Sequence, residues 1–103
     1  MDIGGASTEL IKVSPTDQKI ITSFSMPIGA VRMNNWRSDK KEKEMMDKVF
    51  SGFKEKLRSV ESKKLYCVAG TMTSVGNIHL KNETFIEDAV NGLKMTSANV
   101  FEL

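Results

Sequence analysis

The N-terminal segment restricts the backbone more than any other part of this chain. An aspartate, Asp2, is followed after one residue by Gly4 and Gly5, and then by Ala6 and Ser7. Two adjacent glycines allow a tight turn that approaches an anion closely, with successive N–H groups pointing into one concavity. The sequence therefore predicts a phosphate-binding turn, although a glycine pair beside an aspartate is also an ordinary hairpin signal.

Acidic residues lie on both sides of this turn. Asp2 directly precedes it and is placed to hold a divalent cation that would bridge to phosphate oxygens. Ser7 and Glu9 have the same parity in the strand expected to leave the turn, so their side chains should project to one face. The turn is thus predicted to gather backbone amides, a hydroxyl and two carboxylates.

Composition limits the class of protein. With 103 residues the chain is at most one small domain, and 40% hydrophobic and 27% charged residues are ordinary for a soluble globular protein. The net charge of +2 is too small to indicate nucleic-acid binding. There is no apolar run of about 18 residues for a membrane span and no signal peptide. The single cysteine, Cys67, cannot form an internal disulfide, so we expect a cytoplasmic protein.

An antiparallel hairpin is predicted directly after the turn. Residues 8–13 are rich in β-forming residues and partly alternate, and a second such run covers residues 19–25. Pro15 fixes φ in the connection between them. Residues 30–32 are predicted to be a short extended continuation before a helix that begins near residues 34–35.

The clearest helix is predicted over residues 39–60. Apolar residues recur there at spacings of three and four, while lysines and glutamates fill the other face. Asp39 and Glu42 form a plausible capping pair, and Gly52 should weaken the centre by up to about 1 kcal/mol relative to alanine. We interpret the lysines as part of a solvated face rather than a track for a polyanion.

A second glycine motif follows a predicted buried strand. Residues 64–69 form an almost continuous apolar run that ends at Gly70, which suits a strand buried on both faces. Cys67 would then lie in the core, with the single histidine, His79, at the end of the next helix. Gly70 and Thr71 open that helix, and its exposed amides would provide a second anion site, although serine and threonine at a helix start are also the usual caps.

Both glycine motifs resemble those of a known phosphatase family. Residues 2–10, Asp-Ile-Gly-Gly-Ala-Ser-Thr-Glu-Leu, are similar to the motif Asp-Ile-Gly-Gly-Gly-Ser-Thr-Glu-Leu of the exopolyphosphatase and guanosine pentaphosphate phosphohydrolase (Ppx/GppA) family. Ala6 replaces the third glycine and would be strained by about 1 kcal/mol if that position requires a positive φ. Residues 69–73 resemble the motif Gly-Gly-Thr-x-Thr, with Ala69 at the first glycine.

The resemblance implies an α/β fold, namely a truncated actin-like ATPase (ribonuclease-H-like) lobe with a mixed sheet, a β-hairpin and flanking helices. It implies Mg²⁺-dependent release of terminal phosphate from polyphosphate or guanosine pentaphosphate in a cleft between two lobes. Asp2 and Glu9 would then handle Mg²⁺ and the attacking water, with Glu9 as the catalytic residue. The residues implied to bind phosphate are Gly4, Gly5, Ala6, Ser7, Gly70 and Thr71.

Other expectations follow from the position of the motif. A phosphate turn normally follows an anchoring strand, so we expect residues 1–103 to be one incomplete lobe of a longer protein and to be inactive alone. The edge left without its first strand predicts self-association or a dimer.

Thr96 and Asn99 predict a short helix near the C-terminal end. Two alternatives stay open: a nucleotide-binding lobe of an actin-like sugar kinase or ATPase, and a structural module without a ligand.

Overall fold

The computed structural model describes residues 1–103 as a small α/β domain with a three-stranded antiparallel sheet and six helices. The strands are β1 (Asp2–Ile3), β2 (Thr8–Val13) and β3 (Ile20–Met26), and they lie in this order in the sheet. The helices are α1 (Ala30–Ser38), α2 (Glu42–Gly52), α3 (Lys54–Ser59), α4 (Ala69–His79), α5 (Glu87–Val90) and α6 (Ser97–Phe101). None of them combines the length and the hydrophobicity needed to cross a lipid bilayer.

The predicted hairpin is confirmed. β2 and β3 pair in antiparallel register from Thr8 opposite Met26 to Lys12 opposite Thr22, and a bulge follows between Lys12 and Val13. Alternation along β2 buries Thr8 and directs its neighbours to the opposite face, as expected for a half-buried strand. β1 adds two residues to the free edge of β2, so the phosphate motif begins within the sheet.

Helix α1 begins earlier than predicted. Residues 30–32 are helical rather than extended, and the prediction of a helix start near residues 34–35 is wrong. The reason is that the carbonyl oxygens of Gly4 and Gly5 accept the amides of the first helical turn, which local sequence patterns do not reveal. Helix α1 accordingly has no side-chain cap at Gly29.

The long helix predicted over residues 39–60 is divided in two. Helices α2 and α3 are separated at Phe53, which has φ −107° and ψ 8° and follows Gly52. The ring of Phe53 stacks on Phe24 with centroids 6.0 Å apart, so tertiary packing accompanies the break. The capping pair is also wrong: Glu42 instead forms an ion pair with Arg37 at 3.0 Å.

The core lies on one face of the sheet. Four buried side chains from the sheet, the following loop and α2 form its centre, and partly buried residues of α1 to α3 pack around it. This packing confirms most of the apolar face predicted for residues 39–60, but Phe50, which belongs to that face, is 41% exposed. The opposite face of the hairpin has no helix over it, and its apolar residues are exposed. The buried centre consists of Leu10, Met26, Ile28 and Val49, and the exposed residues are Ile11, Val13, Ile20 and Ile21.

The buried strand predicted over residues 64–69 is wrong. The segment forms a single isolated parallel bridge, between Val68 and Asp2, and Tyr66 is 80% exposed. Cys67 is exposed as well, which contradicts its predicted core position. A strand buried on both faces needs strands beside it and layers above and below. Here the two-residue strand β1 is its only neighbour, so the sheet is antiparallel rather than mixed.

The C-terminal helices match their predictions more closely. Helix α4 opens at the second glycine motif and ends at His79, as predicted. It packs on α5 through Gly76, where an added Cβ would lie 3.1 Å from a methyl carbon of Val90. The predicted helix near the C-terminal end is confirmed as α6, which begins with a capping box between Thr96 and Asn99.

Candidate functional site

The first glycine motif forms a turn that is fixed to the start of α1. The amide of Gly4 donates to the carbonyl of Ser7 at 2.9 Å and closes the turn. The amide of Ala30 donates to the carbonyl of Gly4 at 3.0 Å, and two further amides of α1, at residues 31 and 32, donate to the carbonyl of Gly5 at 2.9 and 3.0 Å. The first turn of α1 is therefore occupied by backbone carbonyls of the motif.

A side chain of α1 holds the next carbonyl. The Nε atom of Arg32 donates to the carbonyl oxygen of Ala6 at 2.7 Å. All peptide bonds are trans, and in a planar trans peptide the N–H points opposite to the C=O of the same unit. Because the carbonyls of residues 4–6 all point toward α1, the amides of Gly5, Ala6 and Ser7 point away from it.

These three amides form the strongest ligand-binding feature of the turn. The amides of Gly5, Ala6 and Ser7 donate no hydrogen bond within the chain. Gly5 and Ala6 are exposed residues, and Ser7 is half-buried. Successive unpaired amides on one side of a turn suit an anion such as phosphate.

Close contact between the turn and α1 depends on Gly29. A Cβ added at this residue would lie 2.6 Å from the carbonyl oxygens of Gly4 and Gly5. Gly29 has φ −163°, an extended conformation that any residue adopts, so the requirement for glycine is steric. The turn can reach the helix amides only because residue 29 has no side chain.

The positive φ that would strain Ala6 is absent there and occurs at Ala69. Ala6 is not among the non-glycine residues with positive φ, and neither glycine of the turn has a positive φ. Ala69, the second alanine that replaces a family glycine, does have a φ of 70°. The second motif is therefore the one in which an alanine occupies a left-handed conformation that favours glycine.

The two carboxylates of the motif lie side by side. Asp2 and Glu9 are direct partners across β1 and β2, so their side chains are on one face of the sheet, with Cβ atoms about 4.5–5.5 Å apart. The hydroxyl of Ser7 donates to Oε1 of Glu9 at 2.7 Å, which confirms the predicted shared face. The hydroxyl of Ser25 donates to the same oxygen at 2.9 Å. The two hydrogen bonds, chiefly that from Ser7, lower the pKa of Glu9 and keep it ionised.

Paired carboxylates are a type of ligand that Mg²⁺ accepts. The chain has no group of three or more Asp, Glu, His or Cys side chains that could hold a metal alone. Mg²⁺ is commonly held by one or two carboxylates together with water and phosphate oxygens. Asp2 and Glu9 would supply the carboxylates, and water and phosphate would supply the remaining ligands.

The second glycine motif lies beside the first. The bridge between Asp2 and Val68 is parallel, so the chain leaves both residues toward the same end of the sheet. The turn therefore lies next to the start of α4, where Gly70 is exposed and Thr71 is half-buried. Helix α4 has no side-chain cap, and the amides of Gly70 and Thr71 donate no hydrogen bond. The structure thus brings the two predicted anion-binding segments together.

Three residues that contact the motif were missed by the sequence analysis. Gly29 leaves room for the turn, Arg32 donates a hydrogen bond to it, and Ser25 donates to Glu9. Ser25 could have been found from the hairpin, because the register opposes it to Glu9. Gly29 and Arg32 carried no local signal, since their contacts join segments more than twenty residues apart in sequence.

The fold and the site define an α/β protein in which free amides and paired carboxylates suit a phosphate compound. The sequence model of the Ppx/GppA phosphatase family matches residues 1–97, and the chain therefore belongs to the Ppx/GppA phosphatase family. Comparisons with curated proteins and with solved structures gave no match.

Proposed function

We propose that this chain provides the phosphate-binding turn of a phosphohydrolase that releases terminal phosphate from inorganic polyphosphate or guanosine pentaphosphate. The observation that carries the proposal is the row of three free amides at Gly5, Ala6 and Ser7, directed away from α1. Membership of a phosphatase family supports hydrolysis as the reaction. The terminal phosphate would accept hydrogen bonds from these amides, and Gly4 would serve by closing the turn.

The start of α4 would bind a second part of the substrate. A polyphosphate carries negative charge on every phosphate, so a single turn cannot neutralise it. The free amides of Gly70 and Thr71 lie at the positive end of the α4 dipole and beside the turn. They would contact the terminal phosphate or its neighbour.

Asp2 and Glu9 are the proposed Mg²⁺ ligands. The ion would neutralise charge on the phosphate as the bond to the leaving group breaks. Because the pKa of Glu9 is lowered, this carboxylate is a weak base at neutral pH. We propose that it orients the attacking water as the catalytic residue, accepting a hydrogen bond from the water without removing a proton at the start.

The proposed reaction needs a second wall over the turn. Two open surface depressions lie along α2 and α3, lined by residues such as Phe50 and Leu57. We propose that the chain acts as one actin-like lobe and that a second lobe covers the phosphate. Positioned catalytic groups can contribute about 7–11 kcal/mol, so the 103-residue chain should not hydrolyse substrate alone.

A cytoplasmic location is also part of the proposal. The exposed free thiol of Cys67 supports a reducing compartment.

Self-association is a further part of the proposal, with a second copy of the chain as partner. The edge expected to pair, on the N-terminal side of the hairpin, is partly covered by β1, whereas the outer edge of β3 has no neighbouring strand. The apolar side chains of Ile20 and Ile21 on β3 are 64% and 59% exposed. Two such edges could pair about a twofold axis. Sedimentation of the chain and of its Ile21→Lys variant would test this, because a monomer at high concentration in both would contradict it.

An amide titration tests phosphate binding. Pyrophosphate should shift the NMR signals of Gly5, Ala6 and Ser7 with millimolar affinity, about −4 kcal/mol, since few groups are involved. Mg²⁺ should strengthen binding, and the paired substitutions Asp2→Asn and Glu9→Gln should remove that gain while the amide shifts persist. Equal competition by ATP would favour the nucleotide-binding alternative. Unmoved signals in a folded protein would contradict the proposal.

A further inference from the structure

Arg32 is a charged side chain of α1 that the motif does not include. It is half-buried and forms no ion pair, and its single hydrogen bond runs from Nε to the carbonyl oxygen of Ala6 at 2.7 Å. We propose that Arg32 is a positioning residue, which holds the peptide between Ala6 and Ser7 so that the Ser7 amide faces the bound phosphate. The bound phosphate rests on the proposed function, whereas the hydrogen bond between Arg32 and Ala6 does not depend on it.

The peptide that Arg32 holds differs from its neighbours. The carbonyls of Gly4 and Gly5 are held by backbone amides of α1, which any non-proline residue there supplies. The carbonyl of Ala6 is the one held by a side chain, so the direction of the Ser7 amide depends on the identity of residue 32. The amides of Gly5 and Ala6 do not depend on it in this way.

The same geometry argues against direct phosphate binding by Arg32. Its Nε contacts the carbonyl side of the turn, and the free amides point to the other side because the peptides are trans. A charged donor on the carbonyl of Ala6 also polarises that peptide and strengthens its N–H as a donor. The guanidinium would thus affect the anion through the Ser7 amide.

Two substitutions of similar length separate these roles. In Arg32→Gln the side-chain amide nitrogen follows Cδ, as Nε does in arginine, so the hydrogen bond to Ala6 can form without a positive charge. In Arg32→Met a methyl group takes that place and cannot donate. Arg37→Met is the matched control, because Arg37 lies on the same helix, carries the same charge and contacts Glu42 instead of the turn.

The signal of the Ser7 amide without ligand tests positioning directly. In Arg32→Met this signal should move and its hydrogen exchange should change, while Arg32→Gln should stay near the original and Arg37→Met should match it. An unchanged Ser7 signal in Arg32→Met would overturn the proposal whether or not the chain binds phosphate.

Pyrophosphate binding tests the consequence. Loss of one aligned donor should raise the dissociation constant roughly five- to tenfold in Arg32→Met, with a clearly smaller rise in Arg32→Gln, which keeps the hydrogen bond to Ala6 but loses its charge. Equal weakening in both variants would show that the charge acts on the anion directly and would overturn positioning. If the original chain does not bind pyrophosphate, the proposed function fails, and the ligand-free signal of Ser7 still decides the role of Arg32.

Discussion

The N-terminal body, residues 1–60, and the C-terminal segment, residues 61–103, differ in how their apolar side chains are used. The body contains the sheet and α1 to α3, and all four members of the buried core cluster belong to it. In the C-terminal segment the buried residues are Gly76 and Val90, while Leu65 and Phe101 are exposed. Apolar patterning is present in both, but it produces a core only where a neighbouring element covers it.

The same contrast separates the two halves of the candidate site. The turn of the first motif is held by three backbone amides of α1 and by the side chain of Arg32. The start of α4 has no cap, and no atom lies within 4 Å of a Cβ placed on Gly70. The first half of the candidate site is therefore held by hydrogen bonds to α1, whereas the amides at the start of α4 have no hydrogen bonds of this kind.

The largest effect should come from truncating the core of the body. Leu10→Ala removes a buried side chain from the cluster and should lower the free energy of unfolding by about 2–4 kcal/mol. Tyr66→Ala, in the C-terminal segment, should change it by less than about 0.5 kcal/mol because Tyr66 is 80% exposed. Urea denaturation measures both. Similar losses in the two variants would mean that residues 61–68 pack against the body and are not exposed.

A comparable asymmetry is expected for glycines. Gly29→Ala should destabilise the protein by about 1–3 kcal/mol, because its Cβ would lie 2.6 Å from backbone atoms of the turn that cannot move aside easily. Gly70→Ala meets no atom and lies in a helix, so it should leave stability unchanged or raise it by up to about 1 kcal/mol. Thermal unfolding of the two variants provides the measurement.

A control identifies the cause of any loss in Gly29→Ala. The amide signals of residues 30–32 should move in this variant, because their acceptors are the carbonyls of Gly4 and Gly5. Stability lost without movement of those signals would show that the turn is not what Gly29 accommodates.

The same division explains what the sequence could predict. The hairpin and the shared face of Ser7 and Glu9 follow from alternation, which is local and was predicted correctly. The start of α1 depends on Gly4 and Gly5, which lie far away in sequence, so periodicity misplaced it. The run at residues 64–69 has the composition of a buried strand, yet burial is a property of its neighbours, and β1 is too short to provide them.

For the candidate site, motif resemblance named residues that the structure brings close together, but not the contacts that hold them, and their role in binding stays a prediction. The turn, the paired carboxylates and the start of α4 were all identified from residue types and order. Arg32 was not, because nothing in its surroundings along the chain indicates a contact with Ala6. The sequence suggested strain at Ala6, whereas the positive φ occurs at Ala69. The sequence alone does not assign a backbone angle to either alanine.

A smaller effect is expected at Ala69. Its φ of 70° costs an alanine about 1–2 kcal/mol, and glycine removes that cost. Part of the gain is offset because glycine makes the unfolded chain more flexible, by about 0.4–1 kcal/mol. Ala69→Gly should therefore stabilise the protein by about 0.5 kcal/mol, measured by urea denaturation. Ala6→Gly serves as the control and should not stabilise, since Ala6 has no positive φ. A loss of stability in Ala69→Gly would contradict the left-handed conformation.

The smallest effect concerns the ionisation of Glu9, one of three carboxyl groups in the N-terminal body with a lowered pKa, beside Asp17 and Glu42. In the folded chain the pKa of Glu9 lies below its ordinary value of 4.5, so the unfolded state binds more protons around that pH. Its stabilising contribution is complete above about pH 4.5 and is lost as the pH falls through the lowered pKa. Solvent screens this surface group, so the change in stability should be slight.

The carboxyl ¹³C signal of Glu9 is therefore the better measurement. Ser7→Ala should raise the pKa of Glu9 more than Ser25→Ala, because the hydrogen bond from Ser7 has the larger effect. Equal pKa values in the original chain and in both variants would show that neither hydroxyl holds this carboxylate.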